Sequence, residues 1–369
     1  MASQQSTVEG MALNNLFNGV YAGKRVLVTG HTGFKGSWLS LWLRSMGAQV
    51  AGLSLDPDTE PSHWNLLALD DVADYRVDIR NPSAIKEVFD LHKPEIVFHL
   101  AAQPLVRRSY QEPVNTFDIN VMGLINILEA SRHSSSVRVI VNATTDKVYE
   151  NLVTTDGYRE TNALGGHDPY SSSKACAEIV SSCYRKSFFN AGPGLATARA
   201  GNVVGGGDWA DDRLVPDLVR AAVAGSSLKI RNPAATRPWQ HVLEPLSGYL
   251  RLGQMLFDDE QFADAWNLGP DSDGERSVSE IAMILCKAWP NLSIEIDKSS
   301  HLHEAALLHL NCDKAKQKLG WRPVWNLNCA LEYTAAWYRN YYQDNQIGSA
   351  KDLARYVGDA RQLGLAWAT

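Results

Sequence analysis

Short apolar runs alternate along this chain with longer segments whose apolar residues recur every three or four positions. Four runs rich in Val, Ile and Leu predict buried strands at 26–29, 49–55, 95–99 and 137–143. Four segments with helical spacing predict helices at 37–46, 82–92, 115–132 and 169–189. Strands that alternate with helices favour a parallel sheet covered on both faces. We therefore predict an α/β fold built on a doubly wound parallel sheet.

A glycine-rich turn joins the first strand to the first helix. Gly30, Gly33 and Gly36 form Gly-x-x-Gly-x-x-Gly, which permits a tight turn and lets the backbone approach a pyrophosphate. The first N–H groups of the helix then face the phosphates. Asp56 follows the second strand, about 20 residues further on, where a carboxylate binds an adenosine ribose and disfavours the 2′-phosphate of NADP. A glycine turn without a ligand is the simpler alternative, but the strand and the acid favour a Rossmann-type site for NAD.

A tyrosine and a lysine suggest the chemistry. Tyr170 and Lys174 stand four residues apart in Tyr-Ser-Ser-Ser-Lys, so on a helix they share one face. A nearby ammonium favours the phenolate over the phenol, whose ordinary pKa is about 10. Tyr170 would then act as a base near neutral pH, taking a hydroxyl proton while hydride leaves the same carbon. This spacing is common in helices, and the nucleotide loop upstream is what gives it weight.

Three stretches together resemble the extended short-chain dehydrogenase/reductases: the glycine loop, Leu100-Ala-Ala102 after the strand at 95–99, and Tyr-x-x-x-Lys. The resemblance covers nearly the whole chain after about residue 20. Within that superfamily, Thr145-Asp146 before Val148-Tyr149 is similar to the nucleotide-sugar 4,6-dehydratases. Most of those enzymes carry Glu after the Asp, whereas this chain carries Lys147.

The Asp-Lys pair points to one branch of these dehydratases. Together with His31-Thr-Gly-Phe-Lys-Gly36 and Ala102-Gln-Pro-Leu-Val-Arg-Arg-Ser109, it resembles the branch that acts on CDP-glucose. The resemblance implies oxidation of C4 of the hexose with NAD, elimination of water across C5 and C6, and return of the hydride to C6. CDP-glucose is therefore the expected substrate.

The resemblance also implies a role for each catalytic residue. Tyr170 would take the 4-hydroxyl proton, Lys174 would bind the nicotinamide ribose, and Thr145 would hydrogen-bond the same oxygen. Asp146 would protonate the departing 6-hydroxyl. Lys147 would either remove the C5 proton, which requires a pKa well below its ordinary value of about 10.4, or stay charged and stabilise the enolate. A solvated lysine at a strand end is the simpler alternative.

The cofactor contacts implied by the family lie in the glycine loop, after the second to fourth strands, and on two helices. In this chain they are Gly30, Thr32, Gly33, Phe34, Lys35, Gly36, Asp56, Asp78, Ile79, Leu100, Ala101, Ala102, Gln103, Asn120, Tyr170 and Lys174. Asn120 is expected either to organise the active site or to serve the helix alone.

The diphosphate of the substrate needs charged donors, and arginine suits phosphate oxygens best. The expected substrate contacts are Ser109, Asn202, Arg213, Arg231 and Arg237. Of the adjacent Arg107 and Arg108, at most one should face the substrate. A later arginine that the family uses has no clear counterpart in 303–309. The histidines of that stretch lack His-Glu-x-x-His spacing, so no metal is expected.

The pattern also predicts a division of the chain. Residues 1–20 are polar and are expected to form a flexible extension, followed by an NAD-binding domain over 21–200. After about residue 196 the helical periodicity loosens, and glycine-rich loops appear. We predict a smaller, mixed α/β substrate-binding domain over 201–236 and 271–369. The family resemblance implies that 237–270 return to the nucleotide domain.

Composition agrees with a cytoplasmic enzyme. No apolar run approaches the ~18 residues of a membrane span, and the polar start does not resemble a signal peptide. Five cysteines without Cys-x-x-Cys spacing suggest reduced thiols, and a net charge of −6 gives no support to nucleic-acid binding. The resemblance implies a homodimer or homotetramer built through a helix bundle, for which Val121, Leu124, Leu128, Ile179, Val180 and Tyr184 offer apolar faces.

Two alternatives stay open. The first is another nucleotide-sugar enzyme of the same fold, such as a GDP-mannose or dTDP-glucose 4,6-dehydratase or a UDP-glucose 4-epimerase. An epimerase needs only oxidation at C4, so Asp146 and Lys147 would be incidental to it. The second is a dinucleotide sensor without activity, which would have no reason to keep Thr145, Asp146, Tyr170 and Lys174 together.

Overall fold

The computed structural model of the protein describes residues 13–150, 156–290, 292–297 and 308–369. The strands within these ranges are β1 Arg25–Thr29, β2 Gln49–Ser54, β3 Ala73–Arg76, β4 Ile96–His99, β5 Val139–Ala143, β6 Gly194–Ala200, β7 Asn202–Val204, β8 Leu228–Ile230, β9 Thr236–His241, β10 Ala265–Leu268, β11 Glu275–Ser277 and β12 Ile294–Ile296. The helices are α1 Phe34–Ser45, α2 His63–Leu67, α3 Pro82–His92, α4 Val106–Gln111, α5 Pro113–Phe117, α6 Gly123–Arg132, α7 Pro169–Ser187, α8 Leu214–Ala224, α9 Leu243–Asp258, α10 Val278–Cys286, α11 Leu327–Asp344 and α12 Ser349–Gln362.

A seven-stranded sheet forms the centre of the described chain, in the order β10-β6-β5-β4-β1-β2-β3. Every neighbouring pair is parallel. The chain runs outward from β1 to β3, then crosses back to β4 on the other side of β1. This arrangement confirms the predicted doubly wound α/β fold.

Both faces of the sheet are buried, which explains why its strands read as continuous apolar runs rather than alternating ones. Leu27, Val97 and Ile140 pack on one face with apolar residues of α3, α6 and α7. Val28, Phe98 and Val141 face the opposite side, where α9 contributes buried leucines and α1 and α11 contribute buried tryptophans.

Two smaller sheets lie beyond the main one. β7, β9 and β11 form a mixed sheet, in which β9 pairs parallel with β7 and antiparallel with β11. β8 pairs parallel with β12. β10 joins the edge of the main sheet beside β6. The predicted smaller mixed α/β region is thus present, although its β-pairing could not be read from such short strands.

Residues 13–20 differ from the expectation of a flexible extension over 1–20. Leu16 and Phe17 are fully buried, and the ring of Phe17 stacks on Trp367 with ring centroids 5.0 Å apart. The backbone N–H of Phe17 also donates to the carbonyl oxygen of Trp367 at 2.7 Å. Burial of these large apolar side chains fixes the segment, a long-range contact that local polarity could not indicate. Residues 1–12 lie outside the described ranges.

The helix predicted over 115–132 is interrupted by a π turn at Asp118–Met122 between α5 and α6. The apolar side chains predicted for an oligomer contact, on this helix and on α7, differ in their exposure. Leu124, Leu128 and Tyr184 are buried inside their own subunit, whereas Ile179 is 58% exposed. None of the helices in the described ranges combines the length and apolar character needed to cross a membrane.

Candidate active site

The site lies where the chain reverses direction between β1 and β4. In open parallel sheets this switch point creates a crevice outside the carboxyl ends of the strands, and ligands bind there. The glycine loop after β1, the turn after β4 and the segment after β5 all begin at this edge.

The glycine loop is held close to the turn after β4. Gly30 has a φ of +74°, and an added Cβ atom would lie 2.7 Å from the backbone nitrogen of Ala101. A Cβ atom at Gly36 would collide with the carbonyl oxygen of Gly30. Gly33 is exposed, and the nearest atom to its added Cβ atom is the Gly30 carbonyl oxygen at 3.4 Å. The loop therefore presents an open backbone surface at the start of α1, as a pyrophosphate requires.

Four other residues of the predicted cofactor set lie in this loop or beside it. The Thr32 hydroxyl donates to the carbonyl oxygen of Leu55 at 3.0 Å, which ties the loop to the end of β2. The ring of Phe34 lies beside Gly205, where an added Cβ atom would be 3.2 Å from its Cζ atom. Leu100 and Ala102 are half-buried at the carboxyl end of β4.

The adenosine end of the crevice carries acids beside arginines. The Asp56 side chain is 88% exposed after β2, with Arg76 Nε 3.7 Å from its carboxylate. Asp78 pairs with Arg80 at 2.6 Å, and hydrogen bonds from Arg80 lower the pKa of the Asp78 carboxyl. Ile79 is buried, and its side chain fills the space beside Gly123.

The catalytic turn, residues Thr145–Val148, follows β5 directly. Thr145 caps a short 3₁₀ turn over Asp146–Val148, its hydroxyl donating to Asp146 Oδ1 at 3.0 Å and accepting from the Lys147 N–H at 3.4 Å. Lys147 Nζ lies 3.3 Å from Asp146 Oδ1 and 3.4 Å from Asn202 Oδ1. Asp146 is 1% exposed, and its Oδ2 atom has no hydrogen-bond partner within the described residues.

Tyr170 and Lys174 lie on α7 and face this turn, but their electrostatics differ from the prediction. Burial raises the pKa of the Tyr170 phenol to about 12, only partly offset by a hydrogen bond with Thr145. Lys174 Nζ donates to the carbonyl oxygen of Ala143 at 3.2 Å, and burial lowers the pKa of its amine to about 8. The pKa of Tyr170 is therefore shifted opposite to the direction expected from Lys174, because desolvation of the phenolate outweighs the charges around it.

Lys35 of the glycine loop reaches into the same cluster. Burial, together with the neighbouring charge of Arg213, lowers the pKa of its amine to about 7, whereas the charge of Asp146 opposes the shift. Its Nζ atom lies 3.5 Å from the hydroxyl oxygen of Tyr249 on α9. Lys35 thus joins the cofactor loop to the catalytic residues, a proximity that sequence spacing could not predict.

Asn120 and Gln103 hold the turn after β4. Asn120 lies in the π turn, where its side-chain oxygen accepts from the N–H of Gln103 at 2.8 Å and its amide donates to Ser173 at 2.9 Å. The Gln103 side chain is buried and bonds Leu105 and Thr116. Asn120 therefore links the turn after β4 to α7, a contact that fits both of its expected roles, and π turns are frequent at functional sites.

Ser109 differs from its expected role as a substrate contact. It is fully buried, its hydroxyl accepting from the N–H of Tyr170 at 3.1 Å and donating to the carbonyl oxygen of Val106 at 2.6 Å. Because its hydroxyl already accepts one hydrogen bond and donates another, Ser109 stabilises the start of α7 within the protein. Only the tertiary structure brings α4 under Tyr170.

The expected substrate arginines do not converge on one point. Arg213 pairs with Asp208 at 2.9 Å and is near enough to Tyr170 for its charge to lower the pKa of that phenol. Arg237 is buried on β9, with its guanidinium donating to the carbonyl oxygen of Thr236 at 3.0 Å. Arg231 instead pairs with Asp212 at 2.5 Å.

The structure also separates the adjacent arginines of α4. Arg107 reaches Asp212 at 2.9 Å, whereas Arg108 pairs with Glu112 on its own helix at 3.4 Å. Of the two, Arg107 is therefore the one directed toward the segment that carries Arg213. Neither His, Cys, Asp nor Glu residues gather into a metal-binding group anywhere in the described ranges.

Two residues near the site were not predicted as functional. Glu178 lies one helical turn beyond Lys174, and its carboxylate pairs with Arg199 of β6 at 2.8 Å. The continued spacing of four residues from Tyr170 through Lys174 to Glu178 was the available signal.

Comparisons with known proteins agree with this fold and show an enzyme of the extended short-chain dehydrogenase/reductase class. The chain belongs to the family described as GDP-mannose 4,6 dehydratase, whose model matches residues 27–334. A CDP-glucose 4,6-dehydratase from Salmonella typhimurium is 46% identical over 91% of this chain and 97% of its own.

Solved structures show the same architecture. The epimerase Mth375 from Methanothermobacter thermautotrophicus superposes with a TM-score of 0.79 at 25% identity, covering 90% of this chain and 97% of its own. A UDP-glucose 4-epimerase from Thermus thermophilus, in complex with NAD, gives a TM-score of 0.72 at 25% identity, covering 85% of this chain and 98% of its own. The epimerases therefore share the fold of this chain.

Proposed function

We propose that this protein is an NAD-dependent CDP-glucose 4,6-dehydratase, which converts CDP-glucose to CDP-4-keto-6-deoxyglucose and water. The observation that carries the proposal is the buried carboxyl group of Asp146, which lies 3.3 Å from Lys147 Nζ on the turn that Tyr170 and Lys174 also face. An epimerase needs no acid at this position, because it acts at C4 alone. The close relationship to the Salmonella enzyme supports the same reaction and the same nucleotide.

The residues of the crevice fit NAD. Gly33 leaves open backbone at the start of α1 for the pyrophosphate, and Asp56 is exposed where the adenosine ribose would bind. Lys174 would hold the nicotinamide ribose. When bound, NAD supplies the acceptor for the C4 hydride and the donor that returns it to C6.

The proton transfers fall to the residues around the catalytic turn. Tyr170 would remove the 4-hydroxyl proton, with Thr145 holding the same oxygen in place. The resulting ketone acidifies the C5 proton, which Lys147 would take, and Asp146 would give a proton to the departing 6-hydroxyl. Lys147 lies 3.3 Å from Asp146, so one short turn could serve both C5 and C6. The positive charge of a bound nicotinamide ring would oppose the burial that raises the pKa of Tyr170.

Binding of the sugar nucleotide would rest on side chains from β7, from β9 and from the residue before α8. Asn202 holds Lys147 and begins β7 beside Asp146, where an added Cβ atom at Gly201 would lie 3.2 Å from Asp146 Oδ2. Arg213 is close to Tyr170 and would reach the hexose or its phosphate, while Arg237 lies on the neighbouring strand. We propose Arg231 and Arg107 only as outer contacts, because both are shared with Asp212.

A panel of nucleotide sugars tests the proposal. The purified protein would be incubated with CDP-glucose, UDP-glucose, dTDP-glucose or GDP-mannose and catalytic NAD, and the alkali-induced absorbance of 4-keto-6-deoxy sugars would be followed. We expect signal with CDP-glucose and little with the others. Conversion of UDP-glucose to UDP-galactose without that absorbance would overturn the dehydratase assignment and favour an epimerase.

We also propose that two copies associate through α5, the π turn and α7. Val114 is 82% exposed, Met122 49% and Ile179 58%, and these apolar side chains lie on helices that pack together. Exposed apolar patches of this kind commonly mark association surfaces. Light scattering should give the mass of a dimer or tetramer for the natural protein and a monomer for Ile179→Asp. A monomeric natural protein would contradict this assembly.

A further inference from the structure

A buried ion pair lies directly behind the catalytic turn. The carboxylate of Glu178 on α7 and the guanidinium of Arg199 on β6 are 2.8 Å apart, with side chains 1% and 3% exposed. Glu178 is on the same helical face as Tyr170 and Lys174. The pair therefore belongs to the catalytic helix, although neither residue is among those proposed to contact substrate or cofactor.

Glu178 accepts hydrogen bonds from three side chains, one of them directly after β5 and two of them on β6. The Thr144 hydroxyl donates to Oε1 at 2.5 Å, and the Thr197 hydroxyl and Arg199 Nη2 donate to Oε2 at 2.7 and 2.8 Å. Burial raises the pKa of the Glu178 carboxyl, but Arg199 and the two hydroxyls outweigh it, so the net pKa is lowered. The carboxylate is therefore charged and able to accept all three hydrogen bonds.

The second arm of Arg199 reaches the other end of the catalytic turn. Its Nη1 atom donates to the hydroxyl oxygen of Tyr149 at 2.8 Å, and that hydroxyl donates to Asn267 Oδ1 at 2.6 Å. Tyr149 also stacks on Tyr158 with ring centroids 4.9 Å apart, which fixes the plane of its ring.

The turn is thus held at both ends by one ion pair. Thr144 immediately precedes Thr145, and Tyr149 immediately follows Val148. We propose that Glu178 and Arg199 are positioning residues, which fix Thr145, Asp146 and Lys147 relative to Tyr170 by bracketing the catalytic turn. This inference rests on the proposed dehydratase reaction.

Energetics support a positional role over a purely stabilising one. Taking two charges out of water carries a desolvation cost for each ion, and apolar replacements often stabilise a fold equally well. A buried carboxylate with directed hydrogen bonds gives something that apolar packing does not, namely a fixed distance between helix and turn. Displacement by about 1 Å can reduce a catalytic rate on the order of a hundredfold.

Loss of the contacts between the Glu178–Arg199 pair and the catalytic turn should slow one half of the reaction more than the other. Both groups assigned to C5 and C6, Lys147 and Asp146, lie on the turn, whereas the base assigned to C4, Tyr170, lies on the helix and only its partner Thr145 lies on the turn. A displaced turn would slow elimination across C5 and C6 more than oxidation at C4. The reduced nicotinamide and the 4-keto sugar would then accumulate in the enzyme during turnover.

Two threonines provide a matched test. Thr144 and Thr197 are both buried and both donate to Glu178, but only Thr144 adjoins the catalytic turn. Thr144→Val and Thr197→Val each remove one donor without changing side-chain volume much. We expect kcat to fall by about tenfold or more in Thr144→Val, with reduced nicotinamide visible in its absorbance, and by less than about twofold in Thr197→Val. Equal losses of kcat in the two variants, or no loss in either, would overturn the proposal.

Tyr149→Phe tests the other end and covers the case in which Thr144→Val fails to fold. The variant keeps the ring stacked on Tyr158 and removes only the hydroxyl. It should show the same accumulation of reduced nicotinamide, with little change in KM. A normal kcat together with a lowered melting temperature would show that Arg199 only stabilises the fold, and it would contradict the proposed positioning role.

Hydrogen exchange separates this inference from the proposed function. If the natural protein turns over none of the four nucleotide sugars, the dehydratase proposal fails, but exchange at the amides of 145–149 still reports on the turn. Faster exchange at these amides in Thr144→Val than in Thr197→Val would support the proposed positioning role. The same exchange rate in both would reject it.

Discussion

The side-chain amine of Lys174 donates a hydrogen bond to the carbonyl oxygen of Ala143 at 3.2 Å. Ala143 is the last residue of β5, so this bond joins the catalytic helix to the strand that leads into the catalytic turn. It also directs the ammonium toward the backbone rather than leaving Tyr170 as its sole partner. The pKa of the Tyr170 phenol therefore depends on all the groups around it, not on Lys174 alone. A positively charged nicotinamide in the crevice should lower that pKa.

Replacing Tyr170 tests the base at C4. Tyr170→Phe keeps the buried ring on α7 and removes only the hydroxyl, so the fold and NAD binding should be retained. Turnover should fall by about a hundredfold or more, since general acid–base catalysis contributes roughly that much. Steady-state kinetics with CDP-glucose and a separate titration with NAD would measure the two effects. An unchanged kcat would remove Tyr170 from the mechanism.

Replacing Lys147 tests the base at C5. Lys147→Met keeps the length of the side chain and loses the amine that lies 3.3 Å from Asp146. Incorporation of solvent deuterium at C5 should become much slower, because no base would remain on that side of the sugar. Lys147→Arg serves as the control that keeps the charge but cannot act as a base. Normal deuterium incorporation in the Arg variant would indicate an electrostatic role instead.

Cofactor preference should depend on Asp56. The Arg76 guanidinium lies 3.7 Å from its carboxylate, and it also bonds Asp74 and the carbonyl oxygen of Leu55. Asp56→Ser would remove the charge that repels a 2′-phosphate and leave Arg76 beside it. The ratio of NADP to NAD affinity should rise by about tenfold, whereas Asp58→Ser, a nearby exposed acid, should leave it unchanged. A constant ratio in both variants would place the adenosine ribose elsewhere.

Stability should depend on pH through Glu244. Its carboxylate is fully buried at the start of α9 and accepts from the N–H groups of Val324 and Trp325 and from the Tyr356 hydroxyl. Burial raises its pKa from 4.5 to about 7. The folded protein therefore binds a proton more tightly than the unfolded chain, so this contribution is complete below about pH 4.5 and is lost as the pH rises through about 7.

The size of this effect can be measured by urea unfolding. The free energy of unfolding should fall by on the order of 2–3 kcal/mol between about pH 5 and about pH 8, and buried Asp352, whose pKa is also raised to about 7, should add to the slope. Glu244→Gln should be less stable at low pH and should lose much of the dependence. A variant with the full slope of the natural protein would exclude Glu244 as its source.

Much of the site was predictable because its chemistry is local in the sequence. The glycine loop, the Thr-Asp-Lys turn and the Tyr-x-x-x-Lys helix each owe their function to residues within a few positions of one another. The alternation of buried strands with helices then orders those segments along one sheet edge. Residue type, spacing and strand order therefore determined the fold class and the location of the site.

Other features were decided only by the tertiary structure. Ser109 lies beneath Tyr170, Arg199 reaches Tyr149, and Leu16 and Phe17 are buried beside Trp367, although each pair is distant in sequence. The pKa of Tyr170 was predicted in the wrong direction because burial, which sequence spacing does not reveal, dominates over a neighbouring charge. The sequence determined which groups are present and which share a helix face. The fold decided how dry their surroundings are and which partners reach them, because desolvation and long-range hydrogen bonds depend on packing between distant elements.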